Sequence, residues 1–376
     1  MSTPLLPVTD NKTKLQRLLS LDFLRGFIMV LLAFEAAGLY KRLKNVTDNS
    51  FLQGVLEQFE HHPWHGLRMW DLVQPAFMFM AGTAMAFSLT RQDSQGVPWG
   101  QQARKTLTRS FWLFFWGVLD YAVRGENLSF ELWDVLTQLS FTTLVAFLIF
   151  RWNFSAQIVF SLGLLLLTEC LYRFTNIPGF DQPFTNQHNF GNYMDQVLMG
   201  KINRGGWVAI NCLPTAAHTI WGVLAGKLLL QDRPARQKLQ YLFLAGAGCF
   251  IMGYGLDWLN ITPIIKRIAT SSFTLASGAW CLWALLASYA WIDVLKHPRY
   301  LSFFTVIGMN SIFIYLFFEI VGHRWFNEYV GVIVNGLLQP LSMSENWIKV
   351  VAALVIFGLE WGMCYWLYKK KIFFRA

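Results

Sequence analysis

About ten apolar stretches, each long enough to cross a bilayer as a helix, recur along this chain, near residues 22–40, 70–90, 106–124, 132–150, 154–174, 207–230, 240–259, 270–292, 302–321 and 347–368. Roughly twenty apolar residues at a helical rise of about 1.5 Å span a hydrocarbon core. Lipid offers a backbone no hydrogen bonds, so each stretch is expected to be helical. The expected fold is therefore all-α: a polytopic integral membrane protein of about ten transmembrane helices, forming one domain over 1–376. Composition agrees, because 14% of the residues are charged and 55% hydrophobic, and mean hydropathy is +0.37. A soluble domain carries about a quarter charged residues, so a water-soluble enzyme is excluded.

The net charge of +9 raises the question of nucleic acid. The lysines and arginines, however, are scattered through short segments between the apolar stretches and do not gather on one polar face, so no nucleic-acid partner is expected. They are better read as topology signals, and their bias puts both termini in the cytoplasm. The polar segment 1–17 lacks the apolar core of a signal peptide and is expected to be a cytoplasmic N-terminus ahead of a retained first span. All five cysteines lie inside apolar runs with no CxxC, so neither a disulfide framework nor a zinc site is indicated. Three extracytoplasmic loops are expected, at 41–69, 175–206 and 322–346. They carry EHHPWH, FTNQHNFGNYMDQ and HRWFNEY, which mix aromatic faces with amides and carboxylates as a sugar-like ligand would need. Aromatic anchoring at the membrane interface explains any single one of these residues equally well.

Ionisable groups inside a membrane are costly and so mark function by default. Asp22 and Arg25 lie three apart, on one face at the inner end of the first helix, and read as a scaffold pair bordering the cytosolic entrance. The densest constellation is FEHHPWHGLRMWDLVQP at 59–75, with three of the seven histidines. His61 and His65 have a spacing that suits a metal, but Pro63 disfavours a helix there and only Glu60 could assist, so no metal is expected. His61 with Asp71 is a different matter. A carboxylate on one imidazole nitrogen raises the basicity of the other, which suits general-base or nucleophilic work.

Five blocks, LLSLDFLRGFIMVLLAF (18–34), FEHHPWHGLRMWDLVQPAFMFMAGTAMAFSL (59–89), WGVLAGKLL (221–229), TPIIKRIATSSFTLASG (262–278) and GMNSIFIY (308–315), together resemble the heparan-alpha-glucosaminide N-acetyltransferase family of polytopic membrane acyltransferases. The resemblance implies acetyl-CoA used from the cytosolic side and an acetyl group passed to an amino sugar or other saccharide on the far side. It places the family's essential histidine, in its H-x-x-W-x-G pattern, at His61 with Trp64 and Gly66 in register, and the aspartate of its D-L-V-x-P run at Asp71. Ala36 stands where the family has an asparagine. On this basis His61 and Asp71 are the catalytic candidates, and Glu35, Trp64 and Glu319 the contacts to the saccharide. The acetyl-CoA phosphates need cations. Arg104, Lys105, Lys227 and Lys238 are the chosen ones, from a wider inner set that includes Arg109, and Asn310 and Ser311 are candidates to hold the acyl carbonyl. A saccharide, membrane lipid and, as an open option, a second copy of the chain are the expected partners, and a bacterial inner (plasma) membrane is the expected location. The rival from another class is a transporter of an amino sugar or related saccharide, with Glu35, Asp71 and Glu319 as coupling groups.

Overall fold

The computed structural model describes residues 18–123, 128–299 and 301–374, and the polar segment at 1–17 lies outside them. The first half holds α1 (Leu19–Ala36), α2 (Leu39–Lys44), α3 (Ser50–Glu57), α4 (Val73–Ser94), α5 (Trp99–Ala122), α6 (Val135–Leu148) and α7 (Phe154–Phe174). The second holds α8 (Phe190–Met199), α9 (Cys212–Leu230), α10 (Ala235–Trp258), α11 (Ser271–Ser288), α12 (Leu301–Gly308), α13 (Ser311–Phe317), α14 (Asn327–Leu338) and α15 (Glu345–Lys369). No strand occurs among the described residues, where His65 and Ile265 make an isolated antiparallel bridge. Polar side chains start several helices by accepting an otherwise orphaned N–H: Asp134 takes that of Leu136 at 2.7 Å for α6, and Asn153 that of Ala156 at 2.7 Å for α7.

Five helical segments are long and apolar enough to cross a membrane: Met69–Ser94, Phe154–Phe174, Ala235–Trp258, Ser271–Val294 and Glu345–Lys369. Leu301–Gly308 and Ser311–Leu341, bent by 70° at their break, make a sixth if taken as one span. The remaining apolar stretches of the sequence are also helical, as α1, α5, α6 and α9. Each is shorter or more polar, with Asp22, Arg25 and Glu35 on α1, Arg104, Lys105, Arg109 and Asp120 on α5, and 14 residues in α6. α9 is buried along almost its whole length, so its surroundings are protein. The long inter-span segments are not plain loops. Residues 41–69 contain α3 and most of α2, 175–206 contain α8, and in 322–346 a π-helical stretch, Phe318–Phe326, runs into α14. The apolar run VGVIVNGLL in α14 is too short to register as a span by length alone.

α4 and α9 form the centre. Their backbones touch at glycines: a Cβ on Gly82 would fall 1.9 Å from the Thr219 carbonyl oxygen, and one on Gly222 2.0 Å from that of Phe79. Small residues of this kind let helices approach where lipid supplies no hydrophobic drive. Phe79, Ile220, Leu285 and their neighbours fill the core, while Phe111 on α5, Leu166 on α7, Ile251 on α10, Ile333 on α14 and Leu359 on α15 face outward. Apolar side chains on the outside are what a multi-pass membrane protein presents to lipid. The start of α1 and the end of α4 share one end of the bundle, and the segment carrying His61 lies at the opposite end, ahead of α4.

Candidate active site

Asp71 organises the segment before α4. It sits in the 3-10 turn Met69–Leu72, is 1% exposed, and its Oδ2 accepts the backbone N–H groups of Arg68 at 2.9 Å and His62 at 3.2 Å. Its Oδ1 lies 3.0 Å from His61 Nδ1. Gly66 holds φ at +142°, and a Cβ there would come within 2.6 Å of the His62 ring, so glycine is required for the chain to turn back over itself. The Gly66 N–H donates to Ile264 O at 2.8 Å, next to the His65–Ile265 bridge. Asp257 Oδ1 ties both sides together, 2.6 Å from His65 Nε2 and 2.8 Å from the Ile264 nitrogen. The turn between α10 and α11 is thereby fastened to the histidine segment.

That turn delivers Lys266, which is 6% exposed, with its Nζ 3.1 Å from His61 Nδ1 and 3.6 Å from Asp71 Oδ1. Trp207 closes the group, edge-on to the His61 ring at 5.5 Å, with Lys266 Nζ 5.3 Å from its centroid. Among the described residues Nε2 of His61 has no hydrogen bond. Burial, and then the Lys266 charge, hold the His61 imidazole below its ordinary pKa; Asp71 pulls upward, as the sequence suggests, but is outweighed. Burial lowers Lys266 to about 8 against the opposing pull of Asp71. At neutral pH the site therefore combines an uncharged imidazole, a carboxylate and an ammonium, a set able to take up a proton or form a bond through Nε2.

From the other end of the bundle a cavity of about 580 Å³ enters beside α4, within the size range of small-molecule sites. Asp22, Arg25, Arg91, Gln95 and Arg109 line it together with apolar residues such as Phe77, Met80, Leu136 and Leu139, and with Ser311 and Tyr315. Its lining begins on α4 at Phe77, about 9 Å along the helix from Asp71 at 1.5 Å per residue. Between them Gln74 donates to Gln138, and Tyr315 of the cavity lining donates to Asp134 at 2.8 Å. Asp22 and Arg25, paired at 3.3 Å, do border an entrance.

The other residues singled out in the sequence are dispersed. Lys105 donates to Gln92, a cavity-lining residue, at 3.3 Å, and Arg104 is exposed on α5. Lys227 donates to Phe150 O, and Lys238 to Leu229 O at 2.7 Å; both satisfy carbonyls at helix ends, away from the cavity lining. Asn310 donates to Ile372 O at 3.1 Å and accepts from the Phe374 nitrogen at 3.0 Å, so its amide holds the C-terminal tail. Trp64 donates to Phe184 O at 2.8 Å and joins the histidine segment to 175–206. Glu35 on α1 lies within electrostatic reach of Glu319, itself 3.9 Å from His323. These two meet each other and not His61. Lys266 and Trp207 escaped sequence reasoning, although Lys266 lies inside the fourth of the five quoted blocks, and Arg25 and Arg91 were not assigned to a donor site.

No family model matches the chain. Two curated relatives do. The heparan-alpha-glucosaminide N-acetyltransferase of Mus musculus is 25% identical over 433 aligned positions, covering 97% of this chain and 61% of the relative. Its Homo sapiens counterpart is 25% identical over 427 positions, covering 96% and 60%. The chain thus spans about three fifths of the length of the relatives it matches, and almost the whole of it is distantly related to them.

Proposed function

We propose that the chain is a membrane acetyltransferase that passes acetyl from acetyl-CoA, taken from the cytosolic side, to an amino sugar or other saccharide at His61 on the opposite side. The observation that carries this reading is the alignment of two features along α4. A cavity lined by arginines and apolar side chains enters from one end, and a histidine with a fixed carboxylate partner stands at the other. Arg25, Arg91 and Arg109 suit the phosphates of CoA, for which guanidinium groups are well shaped, and the apolar wall suits the pantetheine arm. The names of the two relatives support acetyl transfer to a glucosaminide amine.

In this reading the acceptor nitrogen attacks the thioester carbonyl, the C–S bond breaks and CoA leaves as its thiolate, while His61 Nε2 takes the proton released by the amine. Should His61 take the acetyl group itself before passing it on, the same Nε2 lone pair forms that bond. Both routes need an unprotonated Nε2. Both termini are cytoplasmic in this arrangement, so a cysteine placed at Asp181 should react with a membrane-impermeant reagent in intact cells, and protection would overturn the orientation.

The direct test incubates purified protein with labelled acetyl-CoA and a panel of amino sugars and measures product mass. Acetylated sugar supports the reading. Acetyl-CoA that neither stabilises the protein nor donates its acetyl group defeats it, because a ligand at a hundred times its dissociation constant adds about 2.7 kcal/mol.

A further inference from the structure

His61 Nδ1 has two neighbours of opposite character, Asp71 Oδ1 at 3.0 Å and Lys266 Nζ at 3.1 Å. A ring nitrogen offers one position, either a hydrogen to donate or a lone pair to accept with. If Nδ1 donates to Asp71, the lone pair is on Nε2; if it accepts from the Lys266 ammonium, Nε2 carries the hydrogen. We propose that Lys266 is the positioning residue of this site: by contending with Asp71 for Nδ1, its ammonium decides which nitrogen of His61 bears the proton, and so whether Nε2 can act. With the ammonium on Nδ1 the ring idles as the Nε2–H form. With Lys266 turned to Asp71 alone, or deprotonated, Nδ1 reverts to Asp71 and Nε2 is freed. That Nε2 is the working nitrogen rests on the acyl-transfer reading; the contention for Nδ1 does not.

The placement of Lys266 is built into the fold. A lysine serving only as a topology signal would extend to water, yet this one is turned inward and, among the described residues, its ammonium hydrogen-bonds or ion-pairs with His61 and Asp71 alone. Its turn is held by the Ala269 N–H on Lys266 O at 2.9 Å, by Ala269 at φ +47°, and by Asn211, which donates to Arg267 O at 2.6 Å. The charged groups facing it are His61 from the histidine segment, Asp71 from the 3-10 turn and Arg267 from its own turn. Arg267 is engaged by Gly205 O and the Trp207 face. An arginine keeps its charge across the working range, which leaves Lys266, lowered to about 8, as the cation that titrates there.

Diethyl pyrocarbonate modifies an accessible, unprotonated imidazole nitrogen. Here Nδ1 is enclosed by Asp71 and Lys266, so the reagent reports on the Nε2 lone pair without any acetyl transfer. Modification of the full chain is followed residue by residue by peptide mass spectrometry and normalised to the exposed His188. Wild-type His61 should react in two steps as pH rises, the first below the ordinary histidine value of about 6.5 and the second near pH 8 as Lys266 loses its proton. Lys266→Met should give one step, moved up by about one pH unit because Asp71 is then unopposed. Lys266→Arg should keep the first step in place and lose the second.

A single wild-type step complete by pH 7 overturns the proposal without any variant having to fold. A folded Lys266→Met protein with the wild-type profile overturns it equally. Two-step modification without acetyl transfer would leave the control by Lys266 standing and remove the acyl-transfer reading, and transfer with a single step would do the reverse.

Discussion

The two ends of α4 solve opposite problems. At the Asp71 end each carboxylate oxygen has fixed donors, backbone N–H groups on Oδ2 and the His61 ring and Lys266 ammonium beside Oδ1, and two segments far apart in the chain are stitched together around them. At the Arg91 end the walls are largely apolar, three arginines are set among them, and there is room. Chemistry that depends on proton position needs the first kind of surroundings, because small displacements of a catalytic group cost rate steeply. Capture of a long, charged, flexible molecule is better served by the second. The difference teaches that polar residues near a membrane are best sorted by what fixes them and not by their charge alone.

The comparison breaks most severely at His61. His61→Ala should lower acetyl transfer by about 10²–10⁴-fold, the span of general acid–base effects, with the protein still folded, whereas His62→Ala should keep most of the rate. Near-normal transfer by purified His61→Ala would end the assignment. Asp71→Ala should act on stability, costing about 3–5 kcal/mol in thermal or denaturant unfolding, because it strands a buried ammonium and two backbone donors. A loss under about 1 kcal/mol would mean that the network does not hold the segment.

At the other end, replacing Arg25, Arg91 and Arg109 together by glutamine should raise the KM for acetyl-CoA at least about tenfold, since one charge-assisted hydrogen bond contributes about 1.5–3 kcal/mol. The acceptor KM should hold, and Lys227→Gln with Lys238→Gln should leave both constants unchanged; steady-state kinetics with each substrate varied separately decides. The smallest effect expected is in the pH profile. Imidazolium cannot take a proton, so the rate falls as pH drops through the His61 pKa, and because burial and Lys266 hold that value down, this acid limb of kcat should be centred below about 6.5, separate from the later rise near pH 8 as Lys266 loses its proton. An acid limb centred above 7 would mean that Asp71 prevails.

Much of this was legible in the sequence where the signal is local. Apolar periodicity marks helices, and His61 and Asp71 are close enough in the chain for a turn to bring them together. Lys266 was not legible as a partner, because it lies 205 positions from His61 and reaches it only through the packing of helices between them. Lys227 and Lys238 misled for a different reason. A lysine in the end turn of a helix, as Lys227 in the last turn of α9 and Lys238 in the first of α10, has the same sequence context whether it satisfies a carbonyl or waits for a phosphate, and only the structure exposes the carbonyls of Phe150 and Leu229. The bend between α12 and α13 likewise hides in an apolar run, where length alone suggests one unbroken helix.

The grip of Asn310 on Ile372 and Phe374 carries a consequence for the cavity. Asn310 lies at the 70° bend, and Ser311 and Tyr315, just beyond it, line the cavity, so the segment at Ile372–Phe374 is tied mechanically to the cavity wall. Asn310→Ala would release that segment and loosen the cavity wall with it, an effect no reading of the cavity lining alone would foresee.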